Sequence, residues 1–422
     1  MTYSAEATPS PELEPTAASR AVALLTDKQR ANELINLTLR SSNLQLINAK
    51  LHDLQVRPGG VATAVFITTT APLDNPSAEN LRMTVCVSTE TFAPSPHLVT
   101  LESADLNLSA WVYPYDPDLP AIELSHNPTW LAELLAPYGV LNPDSLQTLG
   151  YRALRRAVLS AKVGERTVFM KVVRPKKVQQ VLSRHELGAH LGVVPPVAWH
   201  EAGLVALAAA PGVSLASYFA SQRGSLGQFR VHALVDHLHR AQRGSAELRL
   251  LTQTSSLEIP AANRPVARLT QYRQSIVEKF PDLAVPVDEL LGELWPRFSQ
   301  LPSPPLGLIH GDFNVANIFV DPRDASFNAL IDADALGLGI LEEDLATLSA
   351  HIFALADLAP AQYPSGAQTA QQVLLDLLVH PELSPEYLAW AVPATLITLI
   401  PGAPSSQVAA AWLGIAQRLS KY

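Results

Sequence analysis

The sequence predicts an α+β protein, with strands gathered towards the N-terminus and helices towards the C-terminus. Three observations carry this. Strand-like segments follow one another early, in LQLINAKLHDLQVRPGG from Leu44, VATAVFITTT from Val61 and LRMTVCVSTETF from Leu81. A second β-rich block starts near Ser145, and from about Leu215 the pattern turns mostly helical. Sheet and helices are thus segregated along the chain, which is the signature of an α+β fold.

The elements read as follows. The opening 20 residues are rich in Pro, Ser, Glu and Ala and predict a disordered tail; they lack the basic-then-apolar order of a secretory signal. Leu25 to Leu39 has helical spacing. In the next block Val61, Thr63, Val65 and Ile67 share one face at period two and Ala62, Ala64 and Phe66 the other, so a small antiparallel sheet is expected. The proline-rich run Trp111 to Pro128 reads as irregular, and a helix carrying Trp130, Leu131, Leu134 and Leu135 follows it. In RRAVLSAKVGERTVFMKVVRP two strand-like runs flank the turn AKVGE, a hairpin signal. KKVQQVLSRHELGAHLG is helical up to Gly192, and LVALAAAPGVSL is a strand that breaks at Pro211 and Gly212. The apolar stretch from Leu388 is short for a membrane span and contains Pro393 and Pro401, so it predicts a buried helix pair.

Composition narrows the function. The single cysteine, Cys86, lies in an apolar run, reads as a packing residue and excludes an intramolecular disulfide framework. The net charge of −9 resides wholly after residue 300; the first 300 residues carry 27 charges of each sign. This argues against nucleic acid as a partner of the C-terminal part, and the chain reads as soluble and cytoplasmic, without a membrane partner.

The chemistry concentrates in two stretches. LIHGDFNVANIFV, from Leu308, sets His310, Asp312 and Asn317 between apolar runs. ALIDADALGLGILEEDLATL then offers Asp332, Asp334 and, at the start of a helical pattern, Asp344. Upstream, Lys171 ends the strand-like VFM run and Glu186 lies on the following helix. Phosphoryl transfer requires such parts: a carboxylate facing the acceptor hydroxyl, oxygen ligands for Mg²⁺, and a lysine for the phosphate chain.

HGDFNVANIF followed by LIDADALGLGILEEDLA resembles the paired signature of the aminoglycoside phosphotransferase and choline kinase-like family. GYRALRRAVLSAKVGERTVFMKVVRP is similar to the nucleotide-lobe strands of its bacterial members, including maltokinase-like sugar kinases. The resemblance implies a bilobal, protein kinase-like fold: a β-rich cap over residues 21–143, a nucleotide-binding lobe with hinge over 144–212, and a helical lobe over 213–422. It implies Asp312 as catalytic base, Asn317 and Asp332 as Mg²⁺ ligands, and Lys171 as the contact of the ATP phosphates with Glu186 as its ion-pair partner. Glu165 and Glu201 are alternative partners for that lysine. Ala206, Leu207 and Ala208 would form the hinge beneath the adenine, and His310 and Asp344 would hold the catalytic loop. Asp334 is a further candidate for metal or substrate contact, and Arg152, Arg155 or Arg156 for phosphate. No G-x-G-x-x-G precedes Lys171 and no Ala-Pro-Glu follows Asp332, which sets the chain apart from protein kinases.

The expected function is ATP- and Mg²⁺-dependent phosphorylation of a small-molecule hydroxyl, a sugar or amino-sugar first, an aminoglycoside second; a catalytically silent nucleotide-binding module is the reading from another class. Glu342 and Glu343 are candidate contacts for a cationic acceptor, set against acids on a solvated helix. Phe353, Tyr363, Tyr387 and Trp390 are candidate stacking surfaces, set against core aromatics.

Overall fold

A computed structural model describes residues 17–57, 60–75, 79–102, 107–252 and 259–421. The predicted tail lies outside them except for its last four residues, which are already helical. Among the described residues the chain forms two compact units, one of residues up to 178 with 197–206, the other of 179–196 with 207–421.

The first unit holds two antiparallel sheets. Helices α1 (Ala17–Thr26) and α2 (Lys28–Arg40) replace the single predicted helix, because Asp27 stops one and caps the other, its carboxylate accepting from the Gln29 and Arg30 N–H groups. Strands β1 (Leu44–Val56), β2 (Ala62–Pro72), β3 (Leu81–Ser88), β4 (Leu98–Glu102) and β5 (Asn107–Val112) pair in the order β1-β2-β3-β5-β4. The period-two pattern of β2 serves two cores. Ala62, Ala64 and Phe66 pack against Leu25, Leu34, Ile35 and Leu39, while Val65 joins Cys86 and Trp111 on the other face.

The segment expected to be irregular contains a short helix, α3 (Pro120–Ser125), before α4 (Pro128–Leu135). Pro120 and Pro128 each stand in the first turn, where the missing N–H has no helical partner to lose, so here proline starts helices rather than excluding them. Strands β6 (Leu141–Arg152), β7 (Arg156–Val163), β8 (Arg166–Val173), β9 (Pro196–His200) and β10 (Leu204–Ala208) form the second sheet, ordered β6-β7-β8-β10-β9. Ile122, Leu131 and Leu135 cover Leu159, Val168, Met170 and Ala206 on its face.

The turn between β6 and β7 is fastened to the first sheet. Ala153 and Leu154 are fully buried with Val65, Cys86 and Trp111, and Leu154 takes a left-handed conformation, φ 61°, unusual for a branched residue. Asp116, 3 % exposed, accepts the Leu154 N–H at 2.8 Å and the Tyr151 hydroxyl at 2.7 Å. Arg174 Nε donates to Leu154 O at 2.8 Å and its Nη2 meets Asp118 at 2.7 Å. Ala153 and Leu154 thus pin the turn from inside, while Arg152 and Arg155 beside them stay exposed.

The second unit is mainly helical: α5 (Val178–Gly188, of which the unit takes all but the first residue), α6 (Leu215–Ser221), α7 (Val231–Thr252), α8 (Leu269–Lys279), α9 (Ala284–Phe298), α10 (Leu341–Leu358), α11 (Gly366–Leu378), α12 (Pro385–Leu399) and α13 (Ser406–Leu419). The two-residue strand β11 (Val213–Ser214), β13 (Ile318–Val320) and β14 (Phe327–Leu330) make one small sheet; β12 (Leu306–Ile309) and β15 (Gly337–Ile340) make another. The apolar stretch expected to be a helix pair is a single helix, α12, buried on nearly all sides; Pro393 lies inside it without breaking it, and α13 begins beyond the stretch, at Ser406. No described helix is long and apolar enough to cross a membrane. The architecture is α+β, as the sequence predicts.

Candidate active site

The second unit assembles the polar loop from two ribbons. Strand β12 ends at Ile309 and pairs with β15, and β13 starts at Ile318 and pairs with β14, so residues 310–317 form the connection between two ladders. The apolar residues that drew attention to the loop are its anchors: Leu308, Ile309, Phe313, Val315 and Ile318 are all buried. Their burial leaves the intervening polar side chains in a fixed frame.

Within that frame every polar residue has a defined task. His310 is fully buried; its Nε2 lies 2.9 Å from the Ile331 carbonyl, so the proton sits on Nε2, and Nδ1 has no hydrogen-bond partner among the described residues. Burial lowers its pKa and keeps the ring neutral. Asp344, in the first turn of α10, accepts the His310 N–H at 2.7 Å and the Gly311 N–H at 2.8 Å with its two carboxyl oxygens. Helix α10 is thereby tied to the loop one residue before Asp312.

Asp312 is half-buried, and its carboxylate is held from two sides: Oδ1 accepts Asn314 Nδ2 at 3.0 Å and Oδ2 accepts Asn317 Nδ2 at 3.2 Å. Asn317 Nδ2 also donates to the Asp312 carbonyl at 2.9 Å, which fixes the amide and leaves Oδ1 as the atom it can turn to a hard cation. The Asn317 carbonyl accepts the Ile331 N–H at 3.0 Å, stitching the loop to the segment that carries Asp332. Asp332 itself adopts φ 61°, ψ 69°, a left-handed conformation that costs about 1 kcal/mol or more in a non-glycine residue and concentrates at functional positions. Asp334 sits two residues on, in the short 3₁₀ segment 333–335. His310, Asp312, Asn317, Asp332 and Asp344 are therefore brought together as the spacing suggested.

Gly311 is required by geometry. Its φ is +76°, and an added Cβ would lie 2.4 Å from the Ala335 carbonyl oxygen. Gly311→Ala should displace the loop and lower kcat roughly 10²-fold by misplacing Asp312, with nucleotide affinity less affected; steady-state kinetics of the purified variant checks this.

Burial raises the Asp344 pKa to about 7, against the two backbone donors, which lower it. Between the ordinary carboxylate range and about pH 7 the native chain therefore keeps a proton that the unfolded chain has lost. Stability from this group is greatest below that window, falls as pH rises through it, and levels off above about 7. Asp344→Asn should flatten that slope, as denaturant unfolding at a series of pH values would reveal.

The first unit carries the remaining predicted residues. Lys171 lies in β8, opposite Val158 of β7, and is only 7 % exposed. Arg152 and Arg155 are exposed on the pinned β6–β7 turn, as is Arg156. Ala206 is buried, and the chain passes from one compact unit to the other between Ala206 and Leu207, within the predicted hinge. Glu186 belongs to the second unit and is exposed on α5.

The acidic and aromatic candidates for acceptor contact are used elsewhere. Glu343 is 2 % exposed and receives Arg264 through both Nε, at 2.8 Å, and Nη2, at 2.5 Å, as well as the Tyr387 hydroxyl at 2.8 Å. The Glu343 bond raises the Arg264 pKa, and burial raises that of Tyr387. Glu342 is buried and accepts the Ser384 N–H. Both acids therefore leave the solvated helix face considered for them and become internal ties. Phe353, Tyr363, Tyr387 and Trp390 are core residues. One residue escaped the sequence reading: His351 of α10, half-buried, whose ring feels the Asp312 charge. Its only sequence signal is helical spacing, seven residues after Asp344.

The chain resembles several solved structures. A thermostable mutant of the aminoglycoside phosphotransferase APH(4)-Ia in its apo form is 16 % identical, with 68 % of this chain and 97 % of that one covered and a TM-score of 0.44. The choline kinase LicA from Streptococcus pneumoniae is 15 % identical, covering 70 % and 100 %, with a TM-score of 0.44. The amicoumacin kinase hAmiN, in complex with AMP-PNP, Ca²⁺ and Ami, is 11 % identical, covering 72 % of this chain and 96 % of that one, with a TM-score of 0.40. A comparison with curated proteins finds no match. The model of the phosphotransferase enzyme family APH matches residues 153–372, from the β6–β7 turn through the whole 310–317 loop and α10. That match spans just over half of the chain and agrees with the family read from the motifs: the chain belongs to the APH phosphotransferase enzyme family.

Proposed function

We propose that this small-molecule phosphotransferase moves the γ-phosphate of ATP to a hydroxyl of a sugar or amino-sugar, with Mg²⁺ as its metal. The observation that supports it most is the Asp312 carboxylate held between two asparagine amides on a loop locked by Asp344. A carboxylate fixed in this way, with one face left to solvent, suits a base that orients an incoming hydroxyl and takes its proton. The fold order supports a cap, a nucleotide lobe and a helical lobe, with Ala206 to Ala208 as the hinge under the adenine.

The residues fit the metal. Mg²⁺ prefers one or two protein oxygens completed by phosphate oxygens and water, and Asn317 Oδ1 with the Asp332 carboxylate makes such a pair. When bound, the ion would neutralise charge on the phosphates. Lys171, buried in β8, would hold the phosphate chain; Glu186 is its proposed partner, and Arg152 a further phosphate contact. Asp312 would align the acceptor oxygen, while His310 and Asp344 keep the loop in place. The resemblance of the nucleotide-lobe sequence to maltokinase-like sugar kinases supports a sugar over an antibiotic acceptor.

The test is ADP release from ATP, with and without Mg²⁺, across glucose, maltose, glucosamine, an aminoglycoside, choline and homoserine. Release that requires Mg²⁺ and rises with a sugar supports the proposal. Stimulation by the aminoglycoside alone would favour the antibiotic-modifying alternative, and ATP binding with no stimulated release would favour a silent binding module.

A further inference from the structure

Helix α10 does more than anchor the catalytic loop. Its first ten residues, Leu341 to Ala350, are all buried, and His351 is the first position at which the helix opens to solvent. Seven residues separate it from Asp344, close to two helical turns, so both project from the same face. Asp344 uses that face to grip the backbone immediately before Asp312. His351 therefore stands two turns along the face that grips the loop, near enough for the Asp312 charge to act on its ring. Its side chain is half-buried, so the ring is only partly open to solvent. Burial holds the ring towards the neutral form, although the Asp312 charge pulls the other way. A neutral imidazole offers one donor and one acceptor.

We infer that His351 binds the acceptor, hydrogen-bonding the hydroxyl next to the one that Asp312 orients, so that the site selects a vicinal diol. This rests on the phosphotransferase reading of Asp312 and names the acceptor class that reading leaves open. Two neighbouring sugar hydroxyls present two polar groups side by side, and a carboxylate with a neutral imidazole can address both. The nearby Glu342 and Glu343 cannot compete as ammonium receptors, because both carboxylates are buried on internal partners. Glu342 and Glu343 thus leave His351 as the α10 side chain that can hydrogen-bond an acceptor hydroxyl.

The test compares wild type, His351→Ala and His351→Gln with glucose, maltose, glucosamine and the monodeoxy forms of glucose. Kinetics of ADP release would be read beside calorimetric binding of each sugar in the presence of AMP-PNP and Mg²⁺. His351→Ala should lower kcat/KM for the intact acceptor roughly tenfold, the loss of one hydrogen bond, with KM for ATP unchanged. One monodeoxy sugar should show the same loss with wild type and no further loss with His351→Ala, and His351→Gln should recover part of the activity. An unchanged kcat/KM in His351→Ala, an equal loss on every sugar including all deoxy forms, or a shifted KM for ATP would overturn the inference. So would failure of every sugar to bind. ADP release driven by choline or another acceptor without a diol would in that case leave the phosphotransfer reading standing and remove only the diol.

Discussion

Asp312→Asn is expected to reduce kcat by roughly 10²–10⁴-fold, the range for loss of a positioned general base, with ATP affinity retained. Each Asp312 oxygen accepts one asparagine N–H, so an amide at this position can satisfy only one of them and sets an NH₂ group against the other. It also lacks a basic oxygen to take the acceptor's proton. Asp312→Ala should be as inactive, because it removes the base without creating that donor–donor conflict. Initial rates of ADP release, beside nucleotide binding by calorimetry, separate chemistry from binding. Full activity in Asp312→Asn would remove this residue from the mechanism.

Arg264→Ala is expected to bring the largest loss of stability, about 3–5 kcal/mol. Glu343 would be left in the core as a carboxylate with only the Tyr387 hydroxyl from its present set of side-chain partners. Breaking one member of a buried pair costs more than the pair contributes, since the remaining charge is stranded without water. Arg264→Lys should also be harmful, because an ammonium cannot reproduce the two-pronged contact. The decisive comparison is Arg264→Ala with and without Glu343→Gln: neutralising the stranded carboxylate should recover part of the loss. Urea unfolding followed by tryptophan fluorescence would measure it. An unchanged midpoint in Arg264→Ala would mean that the contact carries no net stability.

The sequence disclosed the catalytic loop because its parts are contiguous. Two short strands fix the ends, four residues lie between Asp312 and Asn317, and one further strand pair delivers Asp332, so the motif is local and the family resemblance could supply the roles. The β-hairpins and α12 were legible for the same reason: period and turn chemistry act locally. Long-range pairings left no such trace. Arg264, Glu343 and Tyr387 are joined across 79 and 44 residues, and nothing in the spacing of those residues distinguishes an internal acid from one on a solvated helix. The short helix α3 was hidden by the prolines that start it. The fastening of the β6–β7 turn by Asp116 likewise depends on a contact 38 residues distant. His351 needed the structure to show that α10 first opens to solvent at that residue.

Transfer of a phosphoryl group to a small hydroxylated acceptor, with Asp312 as the proposed base, leaves a product that can be detected directly. The most direct measurement is mass spectrometry of the acceptor after incubation with ATP, Mg²⁺ and enzyme, wild type beside Asp312→Asn. A singly phosphorylated sugar from wild type and none from the variant is the expected result. ADP formed with no phosphorylated acceptor in the whole panel, or equal product from both proteins, would contradict it.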